Sequence, residues 1–206
     1  MDKILQLTPR QPDKFDFERV KKKRKTGGRG QLNLFHATGA QVIKLPTDVG
    51  PFDEALLFDE RGDKRAKDAY VRAIEEGDSA ADAYCNLGII ESKEGRTAKA
   101  FDCFTKSLEN DARHVESHFN LGNLYFEEGD LRLARIHYEL AAEVEPTSLP
   151  NLYFNLGLVY AMSDDLGQAI QSLNTYKDLV SPTEAAKADE LLDTLQTTLA
   201  KQAGKA

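Results

Sequence analysis

Residues 115–148 read VESHFNLGNLYFEEGDLRLARIHYELAAEVEPTS, and the same design stands 34 residues earlier and 35 residues later in the chain. Gly88, Gly122 and Gly157 mark the register. Leu87, Leu121 and Leu156, Ala100, Ala134 and Ala169, and Asn86, Asn120 and Asn155 keep it. Tyr84, His118 and Tyr153 share one further position, and Phe104, Tyr138 and Leu173 another. Each unit has two short amphipathic segments broken by a turn such as Glu128-Gly129-Asp130. Segments of that length are marginal as isolated helices, but pairs of them can stack on their neighbours and bury a continuous core. Small residues at Gly122, Ala134 and Ala141 admit close approach of the paired helices, and Tyr125 and Tyr138 fill the space between successive pairs.

The order His118, Leu121-Gly122, Tyr125, Ala134, Tyr138, Ala141, Pro146 resembles the tetratricopeptide repeat, with only the first aromatic replaced. The unit before it departs at Glu91, Ser107 and Ala112, and the one after it has Leu173 and Tyr176 in place of an aromatic and a small residue. Upstream, Ala66, Tyr70 and Ala73 lie 34 residues before Ala100, Phe104 and Ser107, and Gly62-Asp63 resembles Gly129-Asp130. The resemblance implies an all-α fold, a right-handed helix-turn-helix solenoid with a C-terminal capping helix and a largely disordered N-terminal arm. The expected divisions are a flexible basic arm over 1–46, a degenerate leading repeat over 47–80, and repeats over 81–114, 115–148 and 149–183. A capping helix and tail occupy 184–206. Ser181-Pro182-Thr183-Glu184 reads as the start of that cap, and Ala185, Ala188, Leu191, Leu192, Leu195 and Leu199 form its apolar stripe.

In such solenoids the first helix of each pair lines a concave face that holds a partner. Carried over position by position, the groove sites are Asp82, Cys85, Asn86 and Ile89, then Glu116, Phe119, Asn120, Asn123 and Glu127, then Asn151, Phe154, Asn155, Leu158 and Met162. Asn86, Asn120 and Asn155 form a ladder. A primary amide can donate to a peptide carbonyl and accept from a peptide N–H at once, so the ladder can grip main chain of any sequence; alternatively, each Asn bonds a neighbouring helix. Phe119 and Phe154 precede ladder positions and can pack on apolar anchors. Family members that clamp a chaperone-tail carboxylate carry basic residues in part of this row. Cys85, Phe119 and Phe154 stand there instead, so no such clamp is expected. With Asp82, Glu116 and Glu127 nearby, the groove reads as apolar and acidic, suited to a basic, hydrophobic peptide.

The formal net charge of −7 hides a division. Residues 1–45 hold eleven Lys and Arg against four acidic residues, a net of +7, which leaves 16 basic and 30 acidic residues, a net of −14, for the rest. Lys21, Lys22, Lys23, Arg24, Lys25 and Arg29 make a dense run ending in glycine. It reads either as a solvated tail or as a phosphate-contacting segment for nucleic acid, without aromatics for base recognition. Gln31-Leu32-Asn33-Leu34-Phe35 resembles the peptide by which bacterial replication proteins dock on the sliding clamp; the other reading packs Leu32, Leu34 and Phe35 on the solenoid. A further reading follows from the charge division: the basic, Leu/Phe-bearing arm occupies the acidic groove of its own body and competes with partners.

The function expected is a protein-interaction scaffold binding a peptide segment of a partner. The alternative is a nucleic-acid-associated adaptor working through the arm or the clamp-like peptide. No enzyme is expected. HVESH, residues 114–118, is not the HExxH arrangement, and Cys85 has no base beside it in sequence, so no metal and no cofactor are expected. Two cysteines make no disulfide framework, and no apolar run approaches the ~20 residues that span a bilayer, which points to a cytoplasmic protein.

Overall fold

A computed structural model describes residues 13–21 and 50–203. Among these residues there are nine α-helices and no strand. They are α1 (Pro51–Glu60), α2 (Arg65–Glu75), α3 (Ala80–Lys93), α4 (Thr97–Asn110), α5 (Val115–Glu127), α6 (Leu131–Val144), α7 (Pro150–Met162), α8 (Leu166–Leu179) and α9 (Pro182–Ala203). Each odd helix from α1 to α7 packs on the even helix after it. Each pair then packs on the next through α2 on α3, α4 on α5 and α6 on α7, and α9 closes the stack against α8. The result is a solenoid.

The turns inside the pairs are built alike. Gly129 sits at φ +81° after α5, and Asp130 then caps α6 by accepting from the Leu133 N–H at 3.0 Å. Gly62 and Gly95 hold the left-handed position in the first two pairs, and Asp164, at φ +61°, holds it in the last. An L-residue is tolerated there because Asp is among the few that visit this region without large cost. Asp165 then caps α8 through the Gln168 N–H at 3.2 Å.

Close approach within the pairs has a specific cause. A methyl group added at Gly122 would lie 2.5 Å from the Tyr138 ring, and one at Gly88 would lie 2.7 Å from the Phe104 ring. The backbone of the odd helix therefore rests on a ring from the even helix. At Glu91, where the neighbouring unit has Tyr125, a buried carboxylate is held by Lys67 of α2 at 2.5 Å and by Arg96. Burial alone would raise its pKa, but the bonds from Arg96 and Lys67 outweigh burial and hold it below the usual range.

At the far end Ser181 and Glu184 form the reciprocal cap at the start of α9, with the Ser181 hydroxyl donating to Glu184 Oε2 at 2.6 Å. Ala185, Ala188, Leu191, Leu192 and Leu195 are buried, whereas Leu199 remains 41% exposed. Among the described residues no helix is long and apolar enough to cross a membrane.

Within the N-terminal arm, residues 13–21 follow a defined, non-helical course along the solenoid. The physical reason lies in what the ladder asparagines do with this segment.

Candidate functional site

Asn86 on α3, Asn120 on α5 and Asn155 on α7 stand at one register of the repeat and are all buried. Each grips one residue of the segment 13–21 through both its N–H and its C=O. Phe15 N–H donates to Asn155 Oδ1 at 2.7 Å and its carbonyl accepts from Asn155 Nδ2 at 3.0 Å. Glu18 is held in the same way by Asn120 at 2.9 and 3.0 Å, and Val20 by Asn86 at 2.9 and 3.0 Å. In extended backbone the N–H and C=O of one residue point to the same side, so a single primary amide can pair with both. The segment runs from the third full repeat to the first, opposite to the order of the repeats.

The second proton of each amide nitrogen also has an acceptor, and this fixes which way the amide faces. Asn86 Nδ2 donates to the Tyr70 hydroxyl at 3.1 Å, Asn155 Nδ2 to Asn123 Oδ1 at 2.9 Å, and Asn120 Nδ2 to Cys85 Sγ at 3.4 Å. Asn123 Oδ1 accepts in turn from the Tyr138 hydroxyl at 2.6 Å, while Asn123 Nδ2 is buried without a hydrogen-bond partner. Asn123 thus stands behind the ladder and positions Asn155. Tyr70 does the same for Asn86 and donates its own proton to Asp59 at 3.0 Å. Burial, then the Asp59 charge, pushes the Tyr70 hydroxyl pKa up, so it stays a donor at any ordinary pH.

Side chains of the segment find their own partners. Phe15 meets Phe154 edge-on with ring centroids 5.2 Å apart, and the Lys187 ammonium lies 3.6 Å from the Phe15 centroid. Phe17 stacks on Phe104 at 6.1 Å, and Val20 is buried with Cys85, Ile89 and Leu121. Glu18 Oε1 accepts from Asn151 Nδ2 at 3.0 Å. Lys14 pairs with Glu127 at 2.9 Å and Arg19 with Asp59 at 2.8 Å. Asp13, Asp16 and Lys21 are exposed.

The remaining groove residues form the floor. Phe119 is fully buried against Tyr138, with ring centroids 5.7 Å apart, and Leu158 belongs to the same core as Phe154. Ile89 is buried beside Val20. Asp82 and Glu116 face His114, whose Nε2 is 3.0 Å from Asp82. They border a cavity of about 340 Å³ where Lys21 leaves the groove. The Cys85 thiol is pushed up to about 12 by burial, so it carries no thiolate at neutral pH. Lys22, Lys23, Arg24, Lys25, Arg29, Gln31, Leu32, Leu34 and Phe35 lie outside the described residues. Among the described residues, no group of three or more His, Cys, Asp or Glu is gathered as a metal site would require.

The hold on the segment is near balance. Six hydrogen bonds of about 1 kcal/mol each, with about 1–2 kcal/mol from each of Phe15, Phe17 and Val20, are of the same order as the cost of ordering nine residues at roughly 1–2 kcal/mol apiece.

Sequence reasoning placed the three asparagines at one register but missed Tyr70, Asp59 and Lys187. A hydroxyl-bearing aromatic one helix before a ladder Asn, at Tyr70, was the available signal for the first. The apolar spacing of Phe15, Phe17 and Val20 within a charged arm was the signal for the segment.

Stacked helix pairs with a ladder of amides on the inner face define an α-solenoid that holds extended chain. Residues 79–147 match the sequence model of the tetratricopeptide repeat. That stretch carries tetratricopeptide repeats, and the helix pairs on either side of it continue the same solenoid. No curated protein sequence matches it significantly. Similar solved structures include the first such domain of Spaghetti (RPAP3) bound to the HSP90 peptide SRMEEVD, at 21% identity and TM-score 0.54 over 58% of this chain and 93% of that one. PilF of Pseudomonas aeruginosa matches at 23% identity and TM-score 0.62, over 72% of this chain and 69% of that one. The MamA 41-end fragment from Desulfovibrio magneticus RS-1 matches at 19% identity and TM-score 0.61, over 75% and 88%. At these identities the likeness is one of fold.

Proposed function

We propose that this protein is a non-catalytic interaction module that takes an extended peptide segment of a partner into its concave groove, gripping main chain with Asn86, Asn120 and Asn155. The observation that carries the reading is the three-fold repetition of one contact, in which each ladder amide bonds both main-chain groups of a single residue. A contact repeated at the period of the fold and made to main chain alone is suited to any chain with the right spacing. Ile89, Phe154 and Leu158 supply apolar floor, and Asn123 and Phe119 support it from behind. The peptide-bound RPAP3 domain is a precedent for the fold used in this manner. In this reading residues 47–183 form the binding module and 184–206 close it.

The test is selection of random twelve-residue display peptides on the chain carrying Phe15→Ala and Phe17→Ala, which loosens the resident segment. Enriched peptides should bind that chain and lose at least about thirtyfold in affinity, or ~2 kcal/mol, when Asn86, Asn120 and Asn155 are also Ala. Absence of enrichment, or peptides indifferent to the three asparagines, would overturn the assignment. Peptides retained only at low salt would favour a charge-driven surface instead.

A further inference from the structure

We infer that the groove recognises a segment with the pattern Lys-Phe-x-Phe-Glu-Arg-Val, running from the third full repeat to the first, and that residues 14–20 are a tethered copy of that ligand which the partner must displace. The inference rests on the peptide-binding reading above and adds the chemistry of the ligand.

Three positions are fixed by main chain, at Phe15, Glu18 and Val20. The steps between them differ. Glu18 and Val20, two residues apart, face the same way in extended chain, whereas the three-residue step from Phe15 requires the backbone to turn over between them. The second hydrogen bond of each amide fixes which way its Oδ1 and Nδ2 face, so a reversed chain would set its N–H against Nδ2 and its carbonyl against Oδ1. The sites therefore define a direction.

Side-chain positions sort by exposure. Val20 is buried in a cluster with Cys85, Ile89 and Leu121, surroundings that favour an aliphatic residue. Phe15 sits between the edge of Phe154 and the Lys187 ammonium, an environment that favours an aromatic ring. Glu18 is met by a neutral amide donor, Asn151, although the solenoid is acidic. The flanking cations, Lys14 and Arg19, each face a carboxylate on a different helix. Asp16 is exposed, so its position is free. The sequence reading expected a basic peptide; the resident segment is instead charge-balanced, with Asp13, Asp16 and Glu18 offsetting Lys14, Arg19 and Lys21.

The occupant belongs to the same chain by simple reach. Arg19 pairs with Asp59 on α1, so the segment leaves the groove beside the leading pair, and the 28 residues from 22 to 49 can span at most roughly 95 Å. Tethering converts the contact into an intramolecular one with an effective concentration up to the millimolar range, which lowers the apparent affinity of any partner using the same sites.

The experiment titrates a fluorescein-labelled peptide, DKFDFERVK, into the full-length wild-type chain and into the full-length Phe15→Ala/Phe17→Ala variant, with helicity checked by circular dichroism. The peptide should bind the variant at least about tenfold more tightly than the wild type, because the tethered competitor is weakened. DKADAERVK and the reversed peptide KVREFDFKD should each bind the variant at least about thirtyfold more weakly than DKFDFERVK. Equal affinity for the two chains would overturn the tethered copy, and equal affinity of the three peptides would overturn the pattern. A wild-type chain that dimerises with increasing concentration, and loses the dimer on Phe15→Ala/Phe17→Ala, would assign the occupant to a second copy and likewise overturn the tether. If display peptides bind through the asparagines but DKFDFERVK does not, the pattern fails and the peptide-binding reading stands; if neither binds, both fail.

Discussion

Two faces of each helix pair do opposite kinds of work in this molecule. Within a pair, the backbone at Gly88 or Gly122 rests on a ring from the partner helix with no room for a methyl group. On the concave face, the same odd helices present Asn86, Asn120 and Asn155 to a segment held by hydrogen bonds and a few apolar contacts. The seam is closed by shape and tolerates no change of volume, whereas the groove is closed by a chain that can leave. A solenoid needs the first property to set its curvature and the second to have a function at all. The two are physically joined at Tyr138, whose ring packs under Gly122 while its hydroxyl positions Asn123 and, through it, Asn155.

The sharpest way to break the seam is Gly122→Ala. The new methyl would lie 2.5 Å from a Tyr138 ring that is fully buried and hydrogen-bonded, so the ring cannot step aside. Overpacking should outweigh the gain in helix propensity and cost about 2 kcal/mol, read as a lower urea midpoint. Gly157→Ala is the control. There the nearest atom is the γ carbon of the buried Leu173 at 2.8 Å, less close than the Tyr138 ring. It belongs to a side chain without a hydrogen bond to hold it, so the net loss should be smaller, about 1 kcal/mol. Equal losses at the two sites would mean that ring rigidity does not set the seam.

Next in size is Tyr138→Phe, which leaves the seam filled and removes only the hydroxyl. Loss of the bond to Asn123 should cost about 1 kcal/mol. It should also free Asn155 to rotate, so peptide affinity should fall together with stability. Tyr70→Phe would act likewise on Asn86. Stability falling with unchanged peptide binding would cut the proposed link between seam and groove.

These contrasts explain what could be read in the sequence. The seam repeats, so Gly88, Gly122 and Gly157 with Phe104, Tyr138 and Leu173 announce themselves at a fixed period, and the all-α solenoid follows. The asparagines repeat too, and were legible for the same reason. What they hold does not repeat: Phe15, Phe17 and Val20 lie more than sixty residues before Asn86, in an arm whose charge drew attention to Lys21–Lys25 instead. Lone contributors such as Asp59 and Lys187 leave no periodic trace either. Glu91 looked like a simple departure from the repeat, and only the fold brings Lys67 and Arg96 to it.

A pH titration separates the faces differently. His118 and His137 meet between α5 and α6 with their Nδ1 atoms 3.1 Å apart. Burial, followed by the neighbouring imidazole, holds His137 down to about 4, and burial lowers His118 as well. The unfolded chain therefore takes up these protons first, near the ordinary value of about 6.5, so stability is fully present above that pH and declines as pH falls toward 4. The urea midpoint of the wild type should drop across that window, and the drop should be shallower in His137→Gln. An identical slope in the variant would place the acid sensitivity elsewhere.

The smallest expected effect tests the groove by its own pattern. Amide exchange along residues 13–21 should be slowed at Phe15, Glu18 and Val20, whose N–H groups donate to the ladder, and fast at Phe17, whose N–H meets only the exposed Asp16 carboxylate. Lys14→Ala removes an ion pair in which the Glu127 side chain is 44% exposed, so it should lower that protection by no more than about twofold, within about 0.5 kcal/mol. Asn120→Ala should abolish protection at Glu18 and leave Val20 partly protected, because each amide holds its own residue. Uniform protection along the segment would mean that it is shielded by bulk burial, and the ladder would then be incidental to how the chain is held.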